Sequence, residues 1–303
     1  MSPRRGGPRP PLSPPSRVDG PGGPWARLLH DLDASGVGLV YASLADWRQQ
    51  LPPEEERRFL LGRDWARYSK LNGEQLRDRF LATRLLIRST AAVALGTEAS
   101  SLELSYGLNG RVHLRGHDQI DVSLSHTGDL LLCGITSLGV IGVDAEPLER
   151  RLSGRDVETL MCTAPERLRL AATADEERNG VLLSLWTLKE AYSKALGQGL
   201  RFPFTEFGFR TGAEPPGPAG RGEREERGPA DGEVPGAAET ILLERSDGTP
   251  VADDTWRFAT FDLPSGHLAA LALQDTRRSD QPDTRAGTAL NRQILAAIGS
   301  LDR

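Results

Sequence analysis

Residues 186–200 read WTLKEAYSKALGQGL. Together with the preceding VLLSL they form a helical stretch that runs to about Leu196 and stops at Gly197, a residue suited to a helix C-terminus. Trp186, Glu190 and Lys194 fall at i, i+4 and i+8, so they share one helical face. An exposed Glu–Lys pair would be unremarkable there, but a Trp on the same face fits the wall of a cleft better than a solvated surface. The lysines are unusual for this chain. Of 37 Lys plus Arg only Lys70, Lys189 and Lys194 are lysine, and two of these flank Glu190. Lysine presents a compact point charge, whereas arginine presents a flat fork. The pair therefore predicts a site for phosphate groups.

Forty residues upstream, LGVIGVDAEPL is an apolar strand ending in acids. Asp144 and Glu146 stand two apart, so strand geometry puts both carboxylates on one face. Gly142 just before them allows another backbone or a ligand to approach closely. Two hard oxygen ligands suit Mg²⁺, which takes one or two carboxylates and completes its shell with phosphate oxygens and water. With Glu190 as a third carboxylate, the negative charge gathered around a pyrophosphate would call for nearby lysines. Ser125-His126 follows a strand and opens a turn at Gly128-Asp129, a place where backbone and side-chain donors converge. Taken alone, a histidine in a turn is more often structural than functional, and His30, His113, His117 and His267 make no stronger claim. Arg79, Arg84 and Arg88 lie on a helix, and Arg88 reads as solvated.

These segments sit in two ordered blocks. The first runs over 25–145. It holds a strand at Val37–Ala42, the helical stretch EQLRDRFLATRLLIRSTAAVAL, and LSYGLNGRVHL, a hairpin whose Asn109-Gly110 suits a tight turn with positive φ. The second runs over 146–275. It holds a helix around Asp156–Met161, a short helix after Pro165, a long helix over 178–196, and strands at Phe207–Arg210, Thr240–Glu244, Trp256–Asp262 and His267–Leu273. Helices and strands mix without regular βαβ alternation, so the fold class is α+β. Residues 1–24 are rich in Pro, Gly and Arg and read as a disordered arm. Residues 211–238 read as a disordered insertion, and 276–303 as a polar appendage.

The totals narrow the function. Net charge is −5, so nothing draws the chain toward nucleic acid as a whole, and an anionic ligand needs a local basic site. Cys133 and Cys162 form neither a metal spacing nor a disulfide framework, which suits a reducing cytoplasm. No apolar run is long enough to cross a membrane.

GVDAE (Gly142–Glu146), WTLKEAYSKALGQGL (Trp186–Leu200) and SLSHTGD (Ser123–Asp129) together resemble the 4′-phosphopantetheinyl transferases. The resemblance is to the larger monomeric type, like the surfactin-synthetase activator, and it covers about residues 36–275. It implies two similar α+β halves related by a pseudo-twofold, with the active site in the cleft between them. It implies transfer of phosphopantetheine from coenzyme A to a serine of an acyl or peptidyl carrier protein, releasing adenosine 3′,5′-bisphosphate. Carried over by motif, Asp144, Glu146 and Glu190 hold Mg²⁺, and Glu190 serves as base. Lys189 and Lys194 neutralise the pyrophosphate. Ser125 and His126 bind coenzyme A phosphates, Arg111 faces its adenine or 3′-phosphate side, and Arg79 contacts the 3′-phosphate. Val112, Ser123, Thr127 and Ala145 depart from the family's usual residues without removing a charged ligand. Two other readings share these residues: a Mg²⁺-dependent hydrolase of coenzyme A or another pyrophosphate ester, and a non-catalytic module that binds coenzyme A or a carrier protein.

Overall fold

The computed structural model describes residues 9–107, 109–152, 155–198, 202–211 and 240–276. In chain order the elements are β1 (Ser16–Arg17), α1 (Ala26–Ser35), β2 (Val37–Ser43), α2 (Leu44–Arg48), α3 (Glu54–Leu61), α4 (Trp65–Tyr68), α5 (Glu74–Leu95), β3 (Leu104–Tyr106), β4 (Val112–Leu114), β5 (Asp121–Thr127), β6 (Leu130–Thr136) and β7 (Gly139–Pro147). Then follow α6 (Arg155–Met161), α7 (Ala164–Ala172), α8 (Asp175–Ala195), β8 (Phe207–Arg210), β9 (Leu242–Arg245), β10 (Trp256–Leu263) and β11 (His267–Asp275). The mixture is α+β, as the pattern predicts. Apart from Thr211 and Thr276, the segments expected to be a disordered insertion and a polar appendage lie outside the described residues.

Two sheets carry the site. The first has the order β1-β2-β6-β5 and the second β10-β11-β7. Period-two alternation sorts the side chains of each. Leu131, Cys133 and Ile135 of β6 face the core under α5, with Phe80, Leu81 and Leu86. Their neighbours Leu130 and Leu132 meet Val37, Leu39, Ile141, Val143, Ala145, Leu271 and Leu273 in a core shared by both sheets. Ala270 and Ala272 of β11 face a third core, built on Leu185, Leu188 and Ala191 of α8 with Phe207 and Phe209. The strand β7 thus turns Ile141, Val143 and Ala145 inward and leaves Gly142, Asp144 and Glu146 for α8.

Three expectations need correction. The arm expected to be disordered over 1–24 is placed from residue 9 onward. Its residues 16–17 pair in parallel with β2, Val18 is fully buried, and the Trp47 indole donates to the Val18 carbonyl at 3.1 Å. One buried valine and an edge pairing fix a segment whose Pro/Gly content points the other way. The boundary at 145 falls inside β7, which pairs with β11 throughout, so the changeover between sheets comes at the turn before Gly139. The Asn109-Gly110 turn is wider than a two-residue hairpin. Gly110 has positive φ, at 82°, and the loop closes between Gly107 N–H and the Arg111 carbonyl at 2.9 Å.

Candidate active site

The site lies where α8 crosses β7. Contact is close because Gly142 has no side chain. A Cβ there would collide with the Ala191 carbonyl oxygen and come within 2.5 Å of the Ala195 nitrogen, both backbone atoms of α8. The helix ends cleanly. Gly197 takes φ +69° and donates to the Lys194 carbonyl, and Gln198 N–H reaches the Ser193 carbonyl, both at 3.0 Å. This is a Schellman closure, which satisfies the last carbonyls of the helix.

The i, i+4, i+8 face of α8 lies over the acids of β7. Trp186 donates its indole N–H to Glu146 Oε1 at 2.9 Å. Lys194 donates to Asp144 Oδ1 at 2.8 Å and to the Val143 carbonyl at 3.1 Å. Glu190 sits between them. Asp144 Oδ2 and Glu190 Oε1 are both buried and have no hydrogen-bond partner among the described residues. Burial first, and the Asp144 carboxylate second, push the Glu190 carboxyl up to about 7, with Lys194 pulling the other way. An acid poised near neutrality beside a second carboxyl group is able to take and return a proton.

A cleft of about 330 Å³ opens beside this face, with Arg67, Arg84, Tyr106, Arg111, His126 and Lys194 in its wall. Arg84 lies 3.6 Å from the centroid of the Phe80 ring and pairs with Asp64 at 3.5 Å, and Asp64 also accepts from the Tyr106 hydroxyl at 2.5 Å. The guanidinium is therefore held at the cleft wall between an aromatic ring and a carboxylate. His126 lines the same cleft. Desolvation of its ring, then the charges of Arg79, Lys194 and Arg84, lower its pKa and favour the neutral imidazole. Arg79 donates weakly to the Gly128 carbonyl at 3.4 Å beside it.

The structure gathers Glu190, Lys194, Asp144, His126 and Arg79, but it reassigns others. Lys189 is not a phosphate ligand. It is 0% exposed, and its ammonium donates to Glu166 at 2.8 Å and to the carbonyls of Met161, Phe204 and Phe207 at 3.0, 2.6 and 2.6 Å. One residue before Glu190 is about 100° around the helix, which turns Lys189 into the third core, beside Met161, Phe204 and Phe207. Arg111 lines the cleft, but its terminal nitrogens are bound to Asp121 and to the carbonyls of Ile141, Lys194 and Ala195. It ties the β3–β4 hairpin to the end of α8 and does not present a free charge. Ser125 donates a hydrogen bond from its hydroxyl to Asp144 Oδ1 at 2.8 Å, so it supports the carboxylate rather than a phosphate. Arg88 is buried, not solvated. It donates to the Leu60 carbonyl, and desolvation lowers its pKa.

The three carboxylates do not close into one cage. Among the described residues no group of three or more His, Cys, Asp or Glu side chains is arranged to hold a metal ion. The reason is visible at Glu146, whose Oε1 is taken by Trp186 and Arg150. Sequence reasoning passed over Arg67, Tyr106, Asp64 and Asp121. It passed over Glu166 too, although TAPE at 163–166 is a capping box in the sequence and in the structure.

Residues 140–227 match the family model of the 4′-phosphopantetheinyl transferase superfamily. Over 138 residues the chain is 29% identical to the 4′-phosphopantetheinyl transferase HetI of Nostoc sp., covering 45% of this chain and 58% of that protein. Over 132 residues it is 26% identical to the 4′-phosphopantetheinyl transferase of Bacillus subtilis, covering 44% and 58%. Over 157 residues it is 33% identical to a phosphopantetheinyl transferase of Thraustochytrium sp., covering 47% and 54%. The matches thus span little more than half the length of these relatives. The superfamily resemblance of the motifs is carried by a matched region that holds Asp144, Glu146, Glu190 and Lys194.

Proposed function

We propose that this protein is a Mg²⁺-dependent 4′-phosphopantetheinyl transferase of the larger monomeric type, moving phosphopantetheine from coenzyme A to a serine of a carrier protein. The observation that carries this reading is the pair of buried carboxylate oxygens without partners, Asp144 Oδ2 and Glu190 Oε1, at the edge of a cleft with a basic wall. Buried carboxylate oxygens are left unpaired only at a cost, and a hard cation relieves it. Asp144 and Glu190 fit Mg²⁺ on that ground, with Glu146 as a third ligand once its oxygen is released. A cation held there would supply Lewis acidity and neutralise charge at a pyrophosphate.

The chain's own residues account for the rest. Arg84, Arg79 and His126 offer donors to the phosphates of coenzyme A, and Phe80 and Tyr106 keep Arg84 in place. Lys194 holds Asp144 in place and puts positive charge beside the pyrophosphate. Glu190 takes the proton of the carrier serine as its oxygen bonds to the β-phosphorus. The phosphoanhydride bond then breaks, and adenosine 3′,5′-bisphosphate leaves with the bond's electron pair. The same reading makes the two units pseudo-twofold halves, supported by one long helix, α5 or α8, on each sheet. It also makes the protein a cytoplasmic monomer whose partners are carrier domains. Among the described residues no helix is long and apolar enough to cross a membrane.

The test is to incubate the protein with coenzyme A, Mg²⁺ and a panel of unmodified carrier proteins, then weigh each carrier intact. The expected result is the gain of one phosphopantetheine group, abolished by EDTA and by Glu190→Gln. Consumption of coenzyme A with no carrier modified would replace transfer by hydrolysis.

A further inference from the structure

Glu146 has a rival for the cation inside the chain. Pro147 ends β7, and a turn closes from Arg150 N–H to the Pro147 carbonyl at 2.9 Å. Asn179 of α8 then fixes the backbone on both sides. Its amide donates to the Arg150 carbonyl at 3.0 Å and accepts from Leu152 N–H at 2.9 Å. With the backbone held, the Arg150 side chain reaches back one turn and binds Glu146 Oε1. Its guanidinium carbon also lies 5.2 Å from the centroid of the Trp186 ring, and the Trp186 N–H is on the same Oε1. The two partners differ in exposure. The Arg150 side chain is 39% exposed and that of Glu146 only 11%, so the guanidinium can leave while the carboxylate stays.

We propose that Arg150 is a positioning residue that competes with a divalent cation for Glu146. The inference rests on the cation reading of Asp144 and Glu190. With no cation, the guanidinium neutralises Glu146 and holds it apart from the other two carboxylates. A cation drawn to Asp144 and Glu190 competes for Glu146, and the displaced guanidinium stays on the Trp186 face, where an aromatic ring holds a cation. Competition of this kind weakens cation binding and makes it depend on how firmly Arg150 is bound. A single partly exposed, charge-assisted contact sets the scale at about 3- to 30-fold in affinity.

The experiment is Mg²⁺ titration of the full chain by calorimetry, with tryptophan fluorescence as a second readout. Arg150→Gln should bind Mg²⁺ about 3- to 30-fold more tightly than the parent chain. The parent should change its fluorescence on adding Mg²⁺, and the change should be lost in Trp186→Phe. In a Glu146→Gln background, Arg150→Gln should no longer tighten binding, which separates competition for Glu146 from a general effect of removing a positive charge. Equal or weaker binding by Arg150→Gln, or an undiminished gain in the Glu146→Gln background, would overturn the proposal while leaving the cation site standing. No Mg²⁺ binding by either protein would overturn both.

Discussion

Replacing Lys189 by methionine keeps most of the length of the side chain and removes the ammonium, with both its charge and its donors. The structure says what this does. Glu166 is 1% exposed and would lose the ammonium that balances it. The carbonyls of Met161, Phe204 and Phe207 would each lose a donor in the same buried spot. Breaking a buried pair by removing one partner costs about 3–5 kcal/mol. In a domain of this size about 1 kcal/mol moves the midpoint by roughly 2–4 °C, so the variant should unfold about 6–20 °C lower. Adding Glu166→Gln should recover part of the loss, because the two residues act on one interaction and their effects do not add. Thermal unfolding followed by circular dichroism gives the first number. The KM for coenzyme A, taken well below the new midpoint, gives the second and should stay within about twofold. A Lys189→Met protein that melts with the parent but binds coenzyme A far more weakly would refute the structural role and return Lys189 to the phosphates.

Gly142→Ala drives a methyl group into the backbone of α8, so it should cost about 1–3 kcal/mol in unfolding and cut turnover more than a surface change would, since Glu190 and Lys194 ride on the displaced helix. Glu190→Gln should raise stability in EDTA at pH 8 and converge with the parent near pH 5. The folded carboxyl sits at about 7 against an ordinary 4.5, so its favourable state is fully present below 4.5 and is lost as the pH rises through 7; allowing for its partial exposure, the gain is about 1–2 kcal/mol by thermal melts. Arg84→Met keeps contact with Phe80 but drops the charge, and should raise the KM for coenzyme A about tenfold in a carrier-modification assay.

Most of the frame was legible because the strong periodicities were local. The helix read over residues 74–95 forms over those residues, and the long helix of the second block, read over 178–196, runs from Asp175 to Ala195. Asp144 and Glu146 share a side of β7 for the reason strand geometry gives. What periodicity could not assign was the partner of each charge. Lys189 and Lys194 look alike in sequence, five residues apart, yet one is enclosed by four acceptors and the other lies beside Asp144. The difference lies in Glu166 and the Phe204–Phe207 turn, which are distant in the chain. Val18 likewise carries no signal within its Pro/Gly surroundings, since its burial depends on Trp47 and β2.

The place of the carboxylates follows from how the two sheets meet. An edge strand such as β7 leaves backbone groups that a neighbouring strand would normally take. Beside β5 they are taken by side chains instead. Asp121 accepts from Ile141 N–H at 2.7 Å and Ser123 accepts from Val143 N–H at 3.0 Å. The next rung runs the other way, since Ser125 donates to Asp144. Side chains thus join the two strands where no backbone ladder does, and Asp144 stands at the third of these links. Asp121 needs its own counter-charge, and Arg111 provides it while also binding the final carbonyls of α8. One arginine therefore sets the seam and the end of the helix that carries Glu190 and Lys194. On this logic Arg111 governs the geometry of the site without contributing charge to a ligand, and its loss would be felt at Asp144 and Lys194 together.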